Sequence, residues 1–344
     1  MKFLIAAAGT GGHVFPAMEF GKECIKFDHE IYWIGTKTGI ENRVIPQDIQ
    51  LITIPMRGFR GKSIVQKTFS TVGLIASILK SIYYIKKNNI DYIICFGGYI
   101  SLPVGIAAWI SRKPLFLHEQ NSIIGTSNRI LQKFAEILFL GFSINQHVYQ
   151  NTMLVGNPIK NLNKNSILNT NKDTLRIYVT GGSLGSDFIN RNIPIALNDL
   201  KIPIEIRHQC GKGKSLGIKE LYSAKISVEV KEFYESPQDL ILWSDFVISR
   251  AGALSLSEAI SLRRGLVMIP LPSAIDNHQL FNANSIKELN MGLVHEEYES
   301  IESLYKKLKN LIETKQYLEW SKKDSNLDHF QAARRMLSSI VKFQ

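Results

Sequence analysis

Residues 4 to 17 read LIAAAGTGGHVFPA: an apolar run breaks into Gly9, Thr10, Gly11, Gly12 and His13, and helix-like periodicity then resumes. Glycine tolerates positive φ and lets backbone approach a ligand closely, while a helix start offers unpaired N–H groups to an anion. Histidine is the side chain whose unperturbed imidazole titrates near neutrality. A histidine in such a loop is suited either to take a proton from a bound hydroxyl or to orient the loop, which makes His13 a candidate. Two further loops share this design, FGGYISLP at 96–103 and TGGSLGS at 180–186, and each follows an apolar run. One glycine turn between strand and helix is often only geometry. Three in register with strand ends point to a phosphate-bearing ligand.

The second half adds polar groups at comparable positions. In SDFVISRAGALSLSEAISL (244–262), Arg250 and Gly252 precede a helix that opens with Ala253, Leu254, Ser255, Leu256, Ser257 and Glu258. Arg250 can face phosphate, and Ser255 and Glu258 can bond sugar hydroxyls. Equally, a carboxylate near a helix start is favoured by the helix dipole. PLPSAIDNHQLFNA (270–283) clusters Asp276, Asn277, His278 and Gln279, where Asp276 or Asn277 is also suited to capping the helix that follows. Glu119, beside another expected strand end, is either a second proton acceptor or a structural carboxylate.

These loops need strands and helices to hold them. Apolar runs at Phe3–Ala8, Ile31–Ile34, Tyr92–Phe96, Leu115–Leu117 and Ile137–Leu140 suit one parallel sheet. Leu175–Thr180, Ile204–Gln209, Val228–Val230, Phe246–Ser249 and Leu266–Ile269 suit a second. Most show little polar alternation, as expected of strands covered on both faces, and amphipathic segments separate them. The implied class is α/β, with two doubly wound Rossmann-like domains. The break falls in NPIKNLNKNSILNTNK (157–172), whose composition suits a linker. Open α/β sheets bind ligands beyond their carboxyl ends, so two such sheets would face each other across a cleft.

Composition narrows the field. The 344 residues are 45% hydrophobic and 21% charged, with a formal charge of +11 that favours anionic partners. Basic residues are dispersed and match no nucleic-acid-binding module, which argues against nucleic acid as partner. Cys24, Cys95 and Cys210 are far apart without a CxxC, so neither a disulfide framework nor a zinc site is indicated. An apolar run begins almost at once, which leaves no room for a signal peptide ahead of it. Tyr92 to Ser111 is uncharged, yet Gly97, Gly98 and Pro103 divide it into strand, loop and helix instead of a membrane span. A dinucleotide fingerprint would need a third glycine where Val14 stands and an acid about twenty residues on, at a strand tip that reads YWIGTK. The GxxxxGK[ST] spacing of a nucleotidase is absent.

Taken together, GTGGHVFPA, GGYISLP, LHEQNSIIG, VGNPIK, GGSLGS, SRAGALSLSE and DNHQLFNA resemble the MurG family, the undecaprenyldiphospho-muramoylpentapeptide β-N-acetylglucosaminyltransferases of peptidoglycan synthesis. The resemblance spans nearly the whole chain. It implies a B-type glycosyltransferase fold, with an acceptor- and membrane-facing domain over 1–158, completed by a C-terminal helix at about 328–344. A UDP-sugar-binding domain would cover 159–327. It further implies inverting transfer of N-acetylglucosamine from UDP-N-acetylglucosamine to the C4 hydroxyl of the muramoyl sugar of lipid I, without metal or cofactor, at the cytoplasmic face of the plasma membrane. Thr10, Gly11, Gly12, Asn121, Ser183 and Ala253 through Glu258 correspond to substrate-binding positions of the family. Tyr234 takes the place where main chain reads the uracil edge, and Gln279 that of a glutamine touching the transferred sugar. Lys160 stands where an arginine is common, Leu184 where a glutamine is usual, and Ala8 where the family has a glycine.

For this chemistry His13 is the expected general base, with Glu119 as the alternative. A UDP-sugar 2-epimerase would share the two-domain architecture but would not require a lipid-facing surface. Such a surface is suggested between Arg57 and Lys87. Val65, Phe69, Val72, Ala76, Leu79 and Tyr83 recur at helical spacing there, and Ile64, Ile75, Ile78, Ile82 and Ile85 fill neighbouring directions. Arg57, Arg60, Lys62, Lys67, Lys80, Lys86 and Lys87 flank them. The segment suits either a buried helix or an apolar patch rimmed by cations, which fits an anionic membrane surface.

Overall fold

Strand β1 (Lys2–Ala6) sets the pattern of the first half. Successive side chains on a strand point to opposite faces, and here both faces are covered. Phe3 and Ile5 share a core with Val14, Ala17, Phe20 and Cys24 of the helix Gly11–Lys26. Leu4 and Ala6 share another with Val104, Ala107 and Ala108 of the helix Ser101–Ile110. A strand buried on both sides has no solvent face to mark with polar residues, hence its unbroken apolar sequence. The structure is a computed structural model that describes residues 1–56, 64–144, 151–161, 174–323 and 327–343, with backbone alone over 64–71.

Around β1 lie β2 (Glu30–Gly35), β3 (Gln50–Thr53), β4 (Tyr92–Cys95), β5 (Leu115–Glu119), β6 (Ile137–Leu140) and β7 (Thr152–Leu154). All pair in parallel, in the order β3-β2-β1-β4-β5-β6-β7. The second sheet comprises β8 (Leu175–Thr180), β9 (Ile204–Gln209), β10 (Ser227–Lys231), β11 (Phe246–Ser249), β12 (Leu266–Met268) and β13 (Gly292–Val294). Its order is β10-β9-β8-β11-β12-β13, again wholly parallel. In each sheet the chain winds outward one way, then crosses back to start on the other side of the first strand. That reversal falls between β1 and β4, and between β8 and β11, which is where open α/β sheets leave a crevice for ligands.

The sheets belong to two compact units, residues 1–161 with 328–344, and residues 162–327. The helix Ala332–Val341 packs in the first unit, where Met336, Leu337 and Ile340 enter the core of Phe20 and Cys24. Residues 157–161 of the expected linker are built into that unit as well. Asn157 is buried, its N–H donating to His329 Nδ1 at 2.8 Å and its Nδ2 to the Gln120 carbonyl at 3.0 Å. The rest of that stretch, 162–172, lies outside the described residues.

Expected strands match β6, β8, β9 and β11 in full and the others to within two residues at either end. Three were not foreseen, β3, β7 and β13, and all three are sheet edges of three or four residues. Short edge strands lack the two-sided burial that writes an apolar run. Tyr92 to Ser111 does divide into β4, a glycine loop and the helix Ser101–Ile110. Among the described residues no helix is long and apolar enough to cross a membrane.

Ile340 is fully buried in the first unit. Truncating it to alanine removes packed methyl groups and leaves a cavity, at a cost of about 2–5 kcal/mol. Native-state hydrogen exchange of Ile340→Ala is expected to show that loss at the amides of β1 and β4, with those of β8 unchanged.

Candidate active site

The loop after β1 is fixed from beneath by a carboxylate. Gly9, at φ +90°, donates its N–H to Glu41 Oε2 at 3.1 Å. Oε1 of the same group accepts from the N–H and hydroxyl of Thr36 at 2.7 and 2.8 Å. Glu41 is fully buried, so it ties the ends of β1 and β2 together through charge-assisted hydrogen bonds. Sequence reasoning passed over it. The available signal was an acid in GIENR just after a buried strand, where a carboxylate needs N–H donors and a glycine loop supplies them.

Thr10 is the N-cap of the helix Gly11–Lys26, but its side chain caps nothing. The N–H groups of Gly11 and Gly12 open that helix at the surface. His13 follows, half-buried against bare backbone. A Cβ on Gly97 or Gly98 would come within 3.3 Å of its Cε1 or 3.2 Å of its Cδ2, and both glycines have positive φ (+80° and +72°). His13 Nδ1 lies 3.1 Å from Gln120 Oε1. Loops from the ends of β1, β4 and β5 therefore converge on one imidazole.

Glu119 lies in a different network. Its Oε1 accepts from the N–H and Nδ2 of Asn121 at 3.2 and 3.1 Å. Its Oε2 accepts from the Gly125 N–H and Asn128 Nδ2, both at 2.9 Å. Four donors occupy a buried carboxylate, which corrects the expectation of an alternative base: Glu119 organises the 119–128 loop and positions Asn121. Lys160 is exposed near the end of the first unit's main segment.

In the second unit the loop after β8 is shaped by its glycines. A Cβ on Gly185 would collide with the Cys210 carbonyl, and its φ is +69°, so only glycine fits. Ser186 caps the helix Asp187–Asn198 by accepting from the Ile189 N–H at 3.2 Å. Ser183 and Leu184 are exposed on the same loop, Leu184 by 83%.

After β11, Gly252 is the N-cap of the helix Ala253–Ser261, which presents the N–H groups of Ala253, Leu254 and Ser255. The Leu256 N–H already donates to Gly252 O at 3.1 Å, and the Ser257 hydroxyl turns back to Ala253 O at 2.9 Å. Leu256 and Ser257 are both fully buried. The expected run of contacts thus narrows to three N–H groups, the exposed Ser255 and the half-buried Glu258. Glu258 Oε1 accepts from Gln238 Nε2 at 3.0 Å, and burial raises its pKa against the lowering effect of that bond.

Three other expectations change. Arg250 Nη1 donates to the Ile269 and Pro270 carbonyls at 3.1 and 3.3 Å and pairs with Glu297, so it braces the loops after β11 and β12 instead of facing phosphate. The Tyr234 N–H is engaged by Gln209 Oε1 at 3.1 Å, which leaves its carbonyl for the main-chain contact expected at a uracil edge. Asn277 is the N-cap of the helix His278–Glu288 without a side-chain cap bond, and it and Asp276 both sit at φ +53°, a strained pair for residues with a Cβ. Gln279 Oε1 accepts from the Ala251 and Leu271 N–H groups at 3.3 and 3.0 Å, which leaves its amide nitrogen as donor.

Two wholly parallel sheets, each with glycine-bearing loops at its reversal point, have the layout of a B-type glycosyltransferase fold. Residues 3–139 match the glycosyltransferase family 28 N-terminal domain, and residues 176–336 the family 28 C-terminal domain. The chain is 36% identical over 302 residues, 82% of each sequence, to the UDP-N-acetylglucosamine–N-acetylmuramyl-(pentapeptide) pyrophosphoryl-undecaprenol N-acetylglucosamine transferase of Psychrobacter cryohalolentis. It is 35% identical over 301 residues to the protein of that name from Coxiella burnetii, covering 85% of this chain and 84% of that one. The crystal structure of Acinetobacter baumannii MurG superposes with a TM-score of 0.84 at 28% identity, over 99% of both chains. CalG4, the calicheamicin glycosyltransferase, shares the fold at a TM-score of 0.70 and 11% identity. The chain belongs to glycosyltransferase family 28 and, within it, to the MurG family.

The half-buried Glu258 carboxyl, desolvated by its surroundings, holds its proton to higher pH in the folded unit than in the unfolded chain. Its contribution is therefore least unfavourable below the ordinary value of 4.5, and stability is lost as pH rises from there through the raised folded value. Glu258→Gln is expected to flatten that decline, read from urea midpoints of the second unit across this range. An unchanged slope would contradict a desolvated carboxylate.

Proposed function

We propose that this glycosyltransferase moves N-acetylglucosamine from UDP-N-acetylglucosamine to the C4 hydroxyl of the muramoyl sugar of lipid I, with inversion, giving lipid II. The supporting observation is the imidazole of His13 held at the glycine loop after β1. It occurs in a chain 36% identical to a relative named for that transfer. His13 takes the C4 hydroxyl proton as the oxygen attacks the anomeric carbon, and the bond to UDP breaks with its electron pair leaving on the diphosphate. Backbone N–H groups of the Gly181–Ser186 loop and of Ala253, Leu254 and Ser255 meet the charge that develops there. The first unit, completed by the C-terminal helix, presents the acceptor, and the second unit holds the donor. Glu258 bonds the ribose, Gln279 and Asn121 the transferred sugar, and Thr10, Gly11, Gly12, Ser183 and Lys160 the phosphates and sugars near the reacting centre. Tyr234 offers its carbonyl to the uracil.

The purified chain should form lipid II from these two substrates. His13→Ala should lower kcat by about 10²- to 10⁴-fold while donor affinity holds; near-native turnover in that variant would refute the base role. Glu258→Ala should weaken UDP binding by about 1.5–3 kcal/mol in calorimetric titration of the folded protein.

The acceptor is a lipid, and the helix Ile64–Lys87 gives a basis for reaching it. Leu74, Ile78, Ile82 and Ile85 pack on the first sheet, whereas Val72, Ile75, Leu79 and Tyr83 are exposed along the opposite side. Trp109 and Ile110, at the end of the helix that packs beside it, are exposed too. Lys86 and Lys87 rim the stripe, while Lys80 is spent on the Thr53 carbonyl at 2.8 Å. The side chains of Arg57, Arg60, Lys62, Ile64, Val65, Lys67 and Phe69 lie outside the described residues. An exposed apolar stripe with a cationic end suits peripheral attachment to the anionic cytoplasmic leaflet of a bacterial plasma membrane. Reversing Lys86 and Lys87 to Glu should cut sedimentation with phosphatidylglycerol vesicles by at least about tenfold, since each cation near such a surface contributes about 1 kcal/mol. Binding insensitive to both these changes and salt would place the docking surface elsewhere.

A further inference from the structure

Behind His13 a line of hydrogen bonds runs back to backbone carbonyls. His118, on β5, is fully buried with its Nε2 3.0 Å from the Gly156 carbonyl oxygen. Burial holds this ring neutral, with its pKa down at about 4. A carbonyl oxygen can only accept, so the single ring hydrogen of His118 is on Nε2 and its Nδ1 is an acceptor.

Next in line is the Gln120 side chain. One end of its amide lies 3.0 Å from the Phe96 carbonyl oxygen and 3.0 Å from His118 Nδ1. Both of those atoms are acceptors, so that end must be the NH2 group. The opposite orientation would set the amide oxygen against two lone pairs inside the protein, with no donor between them. The Gln120 oxygen consequently faces His13 Nδ1 at 3.1 Å. An amide oxygen accepts, so Nδ1 of His13 donates, and the lone pair of the neutral ring is on Nε2.

We infer that Gln120 and His118 are positioning residues that hold His13 in its Nδ1–H tautomer, so that Nε2 is the nitrogen kept ready to take a proton. This rests on the reading of His13 as general base. Three hydrogen bonds point one way, from His13 to Gln120, from Gln120 to His118 and from His118 to Gly156. A neutral histidine side chain in water prefers its proton on Nε2, the arrangement that would leave that nitrogen unable to accept one. When His13 is protonated, Nδ1–H still donates to the same amide oxygen. The new charge thus meets a dipole already oriented towards it, and nothing behind the ring has to rearrange. Asn157 steadies the line by donating from Nδ2 to the Gln120 carbonyl at 3.0 Å.

The tautomers can be read without substrate, by long-range proton–nitrogen correlation of the full chain carrying 15N-histidine, at a pH where His13 is neutral. His13 is assigned by the signals that vanish in His13→Ala. The expected pattern is a protonated Nδ1 and a bare Nε2 for His13, and the reverse for His118. A protonated Nε2 on His13 overturns the inference. Gln120→Leu removes the acceptor, and His13 is then expected to shift to its Nε2–H form. Its kcat should fall by about 10- to 100-fold with the donor KM unchanged. An unaltered His13 tautomer in a folded Gln120→Leu protein also overturns the inference, and should that variant not fold, the spectrum of the unaltered chain decides. The expected tautomer together with full turnover by His13→Ala would sink the base reading and leave the assignment of Gln120 and His118 standing.

Discussion

Every strand in both sheets runs the same way, and each sheet reverses its winding once, beside its first strand. Parallel strands send all their carboxyl ends to one edge, and a reversal parts the two neighbouring loops there because their crossovers leave to opposite faces. Whatever the chain places after β1 and β4, or after β8 and β11, is therefore lifted clear of packing. The glycine loops occupy these positions. So do His13 and the helix start at Ala253. Remaining elements cover the faces, which keeps those four loops on a rigid base.

Buried carboxylates set the shape of the loops. Glu41 and Glu119 are both almost wholly buried with their oxygens met by N–H and hydroxyl donors from the loops around them. A carboxylate can accept from several donors at once, and here that capacity draws successive turns of backbone around one point. Glu258 differs. Among the described residues its side-chain donor is Gln238, and desolvation dominates its ionisation. Of the three it is the one whose carboxylate a further donor would relieve most.

The interior of both sheets was legible in the sequence because burial on two faces leaves a run of apolar residues with nothing else to explain it. The edges were not. QLIT, TML and GLV hold too few residues to stand out, and they are strands because a neighbour offers hydrogen bonds. At the candidate site the residue types were readable and their directions were not. Arg250 and Ser257 have the chemistry to serve a ligand, yet one is turned onto carbonyls and the other onto its own helix. Gln120 escaped notice for a related reason, since its partner His13 is 107 residues away along the chain. A motif names what a residue is able to do. Only the fold says which way it points.

The first unit is made from two pieces of chain, with the whole second unit inserted between residues 161 and 328. This has a consequence for the order of events during synthesis. Residues 162–327 are contiguous and contain their own core, so they can fold as soon as they emerge. The core begun by Phe20 and Cys24 must wait for Met336, Leu337 and Ile340, which arrive last. At about 5–20 residues per second, the face of the helix Gly11–Lys26 that receives them stays uncovered for on the order of ten seconds or more after the rest of its unit has been made. During that interval the nascent chain carries an open apolar strip while the inserted unit is still being made, and it is then that a holding chaperone has something to grip.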